Sequence, residues 1–393
     1  MSYRIVSPRI MQIGDGAISE LPHILRSLGY RTPMIVTDIT IAGLGIATRI
    51  SQLLDTYRIS HEVFQEIPSE PTITAITAGV TRVLAGNNYL YPEPFDCIIA
   101  LGGGSTIDTA KAIGRVAESG FRSLDTRYHT SSTDGLPIIA IPTAIGGSET
   151  SKYSFIKDNN AESQITCTDL GFSPVAVIVD SELNRSLPLR MIADSGLASL
   201  ARAIESFVSR KATPYSDQQA LTAIRLIIQN LRPAVLQKHN TTARQAVMLG
   251  ASLAGTAFSI TSGALLQSMS NTLQSFCRLP HHLANAMLLP AITAFSAPST
   301  PDRYATCART TGIALDNDSD QVAIAKLTDE LKALYRALKI PGLSAYGVEQ
   351  EHFQTHLEQM TEQVIASDLI QNHPCMPTQQ EITRIYQQLW HQE

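Results

Sequence analysis

Charge is scarce in this sequence. Asp, Glu, Lys and Arg make up 17% of its 393 residues, against about 25% in an average soluble domain. With a net charge of −5 and no stripe of Lys or Arg, it lacks the electrostatic footprint of a nucleic-acid partner. It also lacks a cysteine framework. The five cysteines at 97, 167, 277, 307 and 375 are scattered, odd in number and form no CxxC, so reduced thiols in the cytoplasm are expected. Met1–Gly14 carries Arg4 and Arg9 but no apolar segment of a secretory signal.

The deficit of charge is concentrated. From Gln245 to Cys277, 33 residues pass without one Asp, Glu, Lys or Arg. Ala246–Leu266 is long enough to cross a bilayer, but Ser252, Thr256, Ser259, Thr261, Ser262 and Gly263 interrupt it. Gln267, Ser268, Ser270 and Asn271 follow at once. No membrane span is expected here. Buried helices lining a polar pocket are.

Apolar residues make up 44% of the chain, and the length suits two to three domains at about 150 residues each. Up to residue 183, short β-branched runs alternate with helical patterns. Strands are expected at Tyr3–Gln12, Met34–Thr37, Ser60–Gln65, Cys97–Leu101, Ile138–Ile141 and Ala176–Val179. Helices are expected at Ile18–Leu28, Ala47–Thr56, Thr72–Ala85 and Thr106–Glu118. This alternation predicts an α/β domain over 1–183, with a doubly wound, mostly parallel sheet. After residue 186 strand signals vanish, and helical patterns punctuated by proline predict an all-α domain over 184–393. A cleft between the two is the default binding site.

The strongest local feature is Leu101-Gly-Gly-Gly-Ser-Thr-Ile-Asp-Thr-Ala-Lys111, which follows a buried strand and opens a helix. Gly102, Gly103 and Gly104 permit a tight turn and the close approach of a phosphate. Ser105 is placed to cap the helix, whose free N–H groups favour an anion. A plain βα turn has the same look. Asp38 ends the second strand, where a carboxylate can bind ribose hydroxyls and repel a 2′-phosphate, or simply form a turn. A second glycine loop, Ile141-Pro-Thr143-Ala-Ile-Gly-Gly-Ser148-Glu149, again follows a strand.

Together these segments resemble the iron-containing (group III) alcohol dehydrogenase family. Gly102–Lys111 matches its GGGSxxDxxK motif in full, and residues 141–149 resemble its PTTAGTGSE segment, shortened by one. Ala203-Ile-Glu205-Ser-Phe-Val-Ser209 followed by Ala212-Thr-Pro-Tyr-Ser-Asp217 resembles its helix after the metal site. Pro280-His281-His282-Leu-Ala-Asn285-Ala-Met-Leu-Leu-Pro290 resembles its PHGxANAxLLP segment. The resemblance covers nearly the whole chain and implies a dehydroquinate synthase-like architecture with NAD(H) on the α/β domain. It places the pyrophosphate at Gly102, Gly103, Gly104 and Ser105, groups Asp108 with the same motif, and assigns Thr143 and Ser148 to the nicotinamide side. Asp38 implies NAD(H) in preference to NADP(H). A family lysine falls on Gln164.

The metal site departs from the family. The resemblance implies a divalent metal held by an Asp and a His four apart on one helix, a later His, and a His in the PH segment. Position by position these fall on Ala198, Arg202, Gln267 and His281, and a further family His falls on Asn271. Alanine has no donor atom, guanidinium has no lone pair to offer, and an amide ligates iron or zinc poorly. No divalent metal is expected. Asp194 reads as a cap for a helix starting near Ser195, and as a displaced ligand only in second place. His352 and His356 read as surface residues.

The expectation is an NAD(H)-dependent oxidoreductase interconverting a small carbonyl compound and its alcohol without a metal, with the maleylacetate reductase branch of the family as analogue. Arg202 polarises the carbonyl or anchors a substrate carboxylate, unless it forms only a solvated pair with Glu205. His281 is the general acid/base. Gln267 and Asn271 orient the substrate. The alternatives are a metal enzyme with a site rearranged around Asp194, His281 and His282, and a non-catalytic nucleotide-binding protein. A homodimer is expected by analogy of fold alone.

Overall fold

The computed structural model describes residues 3–68, 71–86, 94–120, 124, 135–158, 163–185, 187–237 and 239–390. The chain divides into two compact units, Met1–Leu187 and Pro188–Glu393.

The N-terminal unit is built on a six-stranded sheet in the order β1-β8-β5-β4-β2-β3. Its strands are β1 (Ile10–Ile13), β2 (Pro33–Asp38), β3 (Glu62–Ile67), β4 (Cys97–Gly102), β5 (Ile138–Pro142) and β8 (Ala176–Val179). Every pairing among them is parallel. The central strands β4, β5 and β8 are buried along their whole length, which is why they read as unbroken apolar runs. The helices of this unit are α1 (Leu21–Leu28), α2 (Ile39–Gly43), α3 (Ile46–Thr56), α4 (Ile73–Ala85) and α5 (Gly104–Ser119). Alternate strand residues Ile35, Ile99, Leu101, Ile139, Ile141 and Ile178 share one core with Leu21, Leu25, Ile50 and Leu54 of α1 and α3. The period of two sends the intervening residues to the other face.

Two expectations change. The strand expected over Tyr3–Gln12 is only Ile10–Ile13. An antiparallel pair, β6 (Tyr153–Asp158) with β7 (Ser163–Thr168), forms a separate small sheet that was not foreseen. Gln164 lies on β7, opposite Lys157.

The C-terminal unit is helical among its described residues: α6 (Leu189–Val208), α7 (Pro214–Leu236), α8 (Thr241–Thr261), α9 (Leu265–Cys277), α10 (His281–Ser296), α11 (Pro301–Thr311), α12 (Asp320–Leu338), α13 (Leu343–Tyr346), α14 (Gln350–Ile365) and α15 (Gln379–Gln388). The uncharged stretch forms α8 and α9, bent by 104° at their junction. Among the described residues no single helix is long and apolar enough to cross a membrane. Most of α8 is buried, as is the first half of α9, so absence of charge here reflects burial.

Candidate active site

In the N-terminal unit the parallel register brings the carboxyl ends of β2, β4 and β5 to one edge. Thr37 pairs with Leu101, and Gly102 pairs with Pro142. Chain order runs outward from β2 to β3 on one side, and from β4 to β5 and β8 on the other. The crevice at such a reversal is where open α/β sheets bind ligands. Asp38, the Gly102–Gly104 loop and Thr143 all lie at that edge.

The glycines are required by contact. A Cβ on Gly102 would stand 2.6 Å from Thr106 Cβ, and one on Gly104 would stand 3.1 Å from Ser148 Oγ. The two glycine loops therefore touch, and Thr143 N donates to Gly102 O at 3.0 Å. The α5 helix starts at Gly104 with Gly103 as its N-cap and no side-chain cap. This corrects the expectation for Ser105, which sits inside the first turn. A helix start of this kind leaves its N–H groups for an anion. Thr143 Oγ1 is buried without a hydrogen-bond partner, an acceptor and donor left for a ligand. These features fit a dinucleotide.

Asp38 forms the local turn expected of it. Its Oδ1 caps α2 by accepting from Thr40 N and Ile41 N at 2.9 and 3.0 Å. Its Oδ2 accepts from Thr106 Oγ1 at 2.9 Å, which ties it to the first turn of α5. Asp108 turns away from the loop. Its Oδ2 accepts from Phe155 N at 3.2 Å, and its backbone O accepts from Ser154 Oγ. Its work is to hold β6 on α5, a correction to its grouping with cofactor contacts. Lys111 is fully buried and donates to the carbonyls of Ser148, Ser151 and Tyr153 at 2.5, 2.8 and 3.0 Å. Lys111, the last residue of the GGGSxxDxxK motif, thus ties the end of the second loop and the start of β6 to α5. Sequence reading gave Lys111 no role.

In the C-terminal unit every residue of α6 from Ser195 to Val208 is buried. Arg202 and Glu205 are 8% and 5% exposed, so the solvated pair is excluded. The Arg202 guanidinium lies 5.0 Å from the centroid of the Phe258 ring, a cation–π contact worth about 1–2 kcal/mol when desolvated. Gln267, buried, donates from Nε2 to Asn271 Oδ1 at 2.7 Å. His281 has Nδ1 2.6 Å from Gln274 Nε2, and Nε2 3.0 Å from Asn285 Nδ2. Burial, the neighbouring His282 and the Arg202 charge push the His281 imidazole well below its ordinary range. Burial and Arg202 push His282 down to about 4. His281 is therefore neutral at physiological pH, the form in which an imidazole takes up a proton as a base, and one of its ring nitrogens accepts from the amide of Gln274 or of Asn285.

Asp194 lies within α6, one turn from Arg190, with which it pairs at 2.6 Å. Pro188 precedes that helix as its N-cap, so Asp194 does not cap it. His352 is exposed on α14 and bonds Phe276 O through Nε2. Among the described residues no three His, Cys, Asp or Glu side chains gather where they could hold a metal ion.

Glu205 and the histidines give stability a defined pH dependence. Burial, opposed by the N–H groups of Leu266, Ala264 and Gln267 and by Arg202, raises the Glu205 carboxyl to about 7. Stability from Glu205 is full below its ordinary 4.5 and is lost as pH rises through 7, a swing of about 3 kcal/mol. His373, pushed down to about 4 by burial and Arg210, acts oppositely, as does His282: stability is lost as pH falls from 6.5 through 4. Melting temperature is therefore expected to drop more steeply between pH 6.5 and 5 in Glu205→Gln than in the parent. Parallel melting curves for the two proteins over that interval would refute this assignment.

Residues 8–181 match the family described as iron-containing alcohol dehydrogenase, and residues 192–390 match the C-terminal part described as Fe-containing alcohol dehydrogenase family, C-terminal. The chain belongs to the iron-containing alcohol dehydrogenase family. Membership makes the protein an alcohol dehydrogenase. The NAD-dependent methanol dehydrogenase of Bacillus methanolicus is 29% identical over 381 residues, covering 96% of this chain and 97% of that protein. The lactaldehyde reductase of Escherichia coli K12 is 28% identical over 396 residues, covering 99% and 100%. The crystal structure of a 1,3-propanediol oxidoreductase superposes with a TM-score of 0.91 at 26% identity, covering 99% of this chain and 100% of that one. Iron-containing alcohol dehydrogenases are named for a metal, yet the residues at this member's ligand positions do not fit one. Ala198 offers no donor atom, Arg202 is a buried cation, Gln267 offers only an amide, a poor ligand for iron or zinc, and His281 is the one imidazole among the four.

Proposed function

We propose that this alcohol dehydrogenase uses NAD(H) to interconvert a small carbonyl compound and its alcohol without a divalent metal. The observation that carries the reading is the buried guanidinium of Arg202, standing where the family places a metal-binding histidine. The family's chemistry and its NAD-dependent relative support the cofactor.

Bound to the N-terminal unit, the nicotinamide supplies or accepts the hydride. Gly102, Gly103, Gly104 and Ser105 receive the pyrophosphate with backbone N–H groups. Asp38 faces the adenosine ribose and repels a 2′-phosphate, which favours NAD(H) over NADP(H). Thr143 and Ser148 hold the nicotinamide side. In the C-terminal unit Arg202 stabilises the negative charge that develops on the carbonyl oxygen, and the alkoxide left by hydride addition takes up a proton that comes from water. The same fork can hold a substrate carboxylate in bidentate fashion. Gln267 and Asn271, locked together, present amide groups that orient the substrate. Neutral His281 accepts that proton as the general base in the alcohol-oxidising direction, and water receives it back.

The test is NADH oxidation by the purified protein against a panel of aldehydes, keto acids and semialdehydes, each with and without chelator. Turnover unaffected by chelator is expected. Stoichiometric zinc or iron that leaves together with activity would sink the metal-free reading. NADH binding without turnover on any member of the panel would sink the enzymatic one.

A further inference from the structure

The first turn of α9 carries Gln267 and has no cap of its own. Its N-cap is Ala264, which offers no side-chain acceptor. The free N–H groups of that turn are met from another helix. Glu205, on α6 one turn after Arg202, accepts from Leu266 N at 2.7 Å and from Gln267 N at 3.4 Å through Oε1. Two further ties fix the same corner. Asn372 Nδ2 donates to Gly263 O at 2.8 Å. Gly263 itself lies directly against Gln267, where a Cβ would stand 2.6 Å from Gln267 Cβ and 2.8 Å from Cγ. Ser262 reaches this corner only by adopting the left-handed region, with φ 64°.

We propose that Glu205 is a positioning residue, whose carboxylate fixes the first turn of α9 and thereby holds the Gln267–Asn271 amide pair in place relative to Arg202. The proposal rests on the reading above that this amide pair orients the substrate. A carboxylate that spans two helices sets the separation of the groups those helices carry. A shift of about 1 Å in an orienting group can lower a rate by about a hundredfold. Glutamine keeps an oxygen that accepts the same N–H groups, whereas alanine leaves them without one.

Steady-state kinetics are measured on the full-length enzyme, with the best carbonyl from the panel, for Glu205→Ala, Glu205→Gln, Gln267→Ala and the double variant Glu205→Ala/Gln267→Ala. Glu205→Ala is expected to lower carbonyl kcat/KM roughly 10- to 100-fold while the KM for NADH stays within about twofold of the parent. Glu205→Gln is expected to restore activity to within about threefold of the parent. In the Gln267→Ala background, loss of Glu205 is expected to cost less than about threefold more, since both act through one group. An unimpaired Glu205→Ala beside an impaired Gln267→Ala overturns the positioning role alone. Equal losses in Glu205→Ala and Glu205→Gln overturn it as well. An unimpaired Gln267→Ala overturns the underlying role of Gln267. Should Glu205→Ala fail to fold, Glu205→Asp draws the acceptor back from the first turn of α9 by one methylene. The same split between carbonyl and NADH parameters is then expected, and a fully additive effect with Gln267→Ala overturns the proposal.

Discussion

Arg202→Ala is expected to lower kcat/KM for carbonyl reduction by about 10²–10³-fold, the usual cost of removing a preorganised donor aimed at developing charge. The KM for NADH should not change. Arg202→Lys keeps a positive charge but loses the planar fork and its stacking on Phe258, so recovery of no more than about a tenth of parental activity is expected. A second readout does not depend on turnover. Because the Arg202 charge depresses His281 and His282, both imidazoles should titrate at higher pH in Arg202→Ala. Their NMR titration separates loss of the charge from loss of the fold. Activity in Arg202→Ala within about threefold of the parent would end its assignment as electrophile or carboxylate anchor.

The second large effect is expected in the cofactor cradle. Gly104→Val places a branched side chain where even a Cβ would press on Ser148 Oγ at 3.1 Å. The overpacking costs about 1–3 kcal/mol, and the added bulk covers the N–H groups at the start of α5. NADH affinity, followed by fluorescence titration, should fall roughly 10- to 100-fold. A Gly104→Val protein that binds NADH as tightly as the parent would show that the dinucleotide lies elsewhere.

Much of the N-terminal unit was legible because strands buried on both faces need no periodicity to be seen. Cys97-Ile-Ile-Ala-Leu101 is such a run. The β6–β7 pair escaped because β7 is rich in Ser, Thr and Gln and β6 ends in Lys157 and Asp158, although Tyr153-Ser-Phe-Ile and Gln164-Ile-Thr-Cys carry some alternation. The cap of α5 was misplaced for a different reason. With glycine at 102, 103 and 104 no side chain marks the helix start, and the first residue with a hydroxyl, Ser105, drew the assignment. Asp194 misled likewise: its i,i+4 spacing from Arg190 was the better signal, and a pair fits mid-helix better than a cap does.

The candidate site was legible in its residues and not in their burial. A helical wheel divides α6 into an apolar face and a face with Ala198, Arg202 and Glu205. It cannot reveal that α7, α8 and α10 all pack on α6, because a wheel of one helix carries nothing about its neighbours, and α8 and α10 lie well beyond it in the chain. Burial decided the outcome for Arg202 and Glu205, and it keeps His281 neutral. The contacts of Gln274 and Asn285 with that imidazole lie seven and four residues away in sequence, yet only the packed structure aims them at its two nitrogens.

Lys111 has a consequence for motion. An ammonium group inside a protein tolerates full satisfaction or full hydration, and little between. Its three carbonyl partners all belong to the segment from Ser148 to Tyr153. That segment therefore cannot slide by degrees: it is seated with all three bonds, or the neighbouring hairpin and α5 must loosen with it. Through Ser148 the end of the second glycine loop shares that anchor.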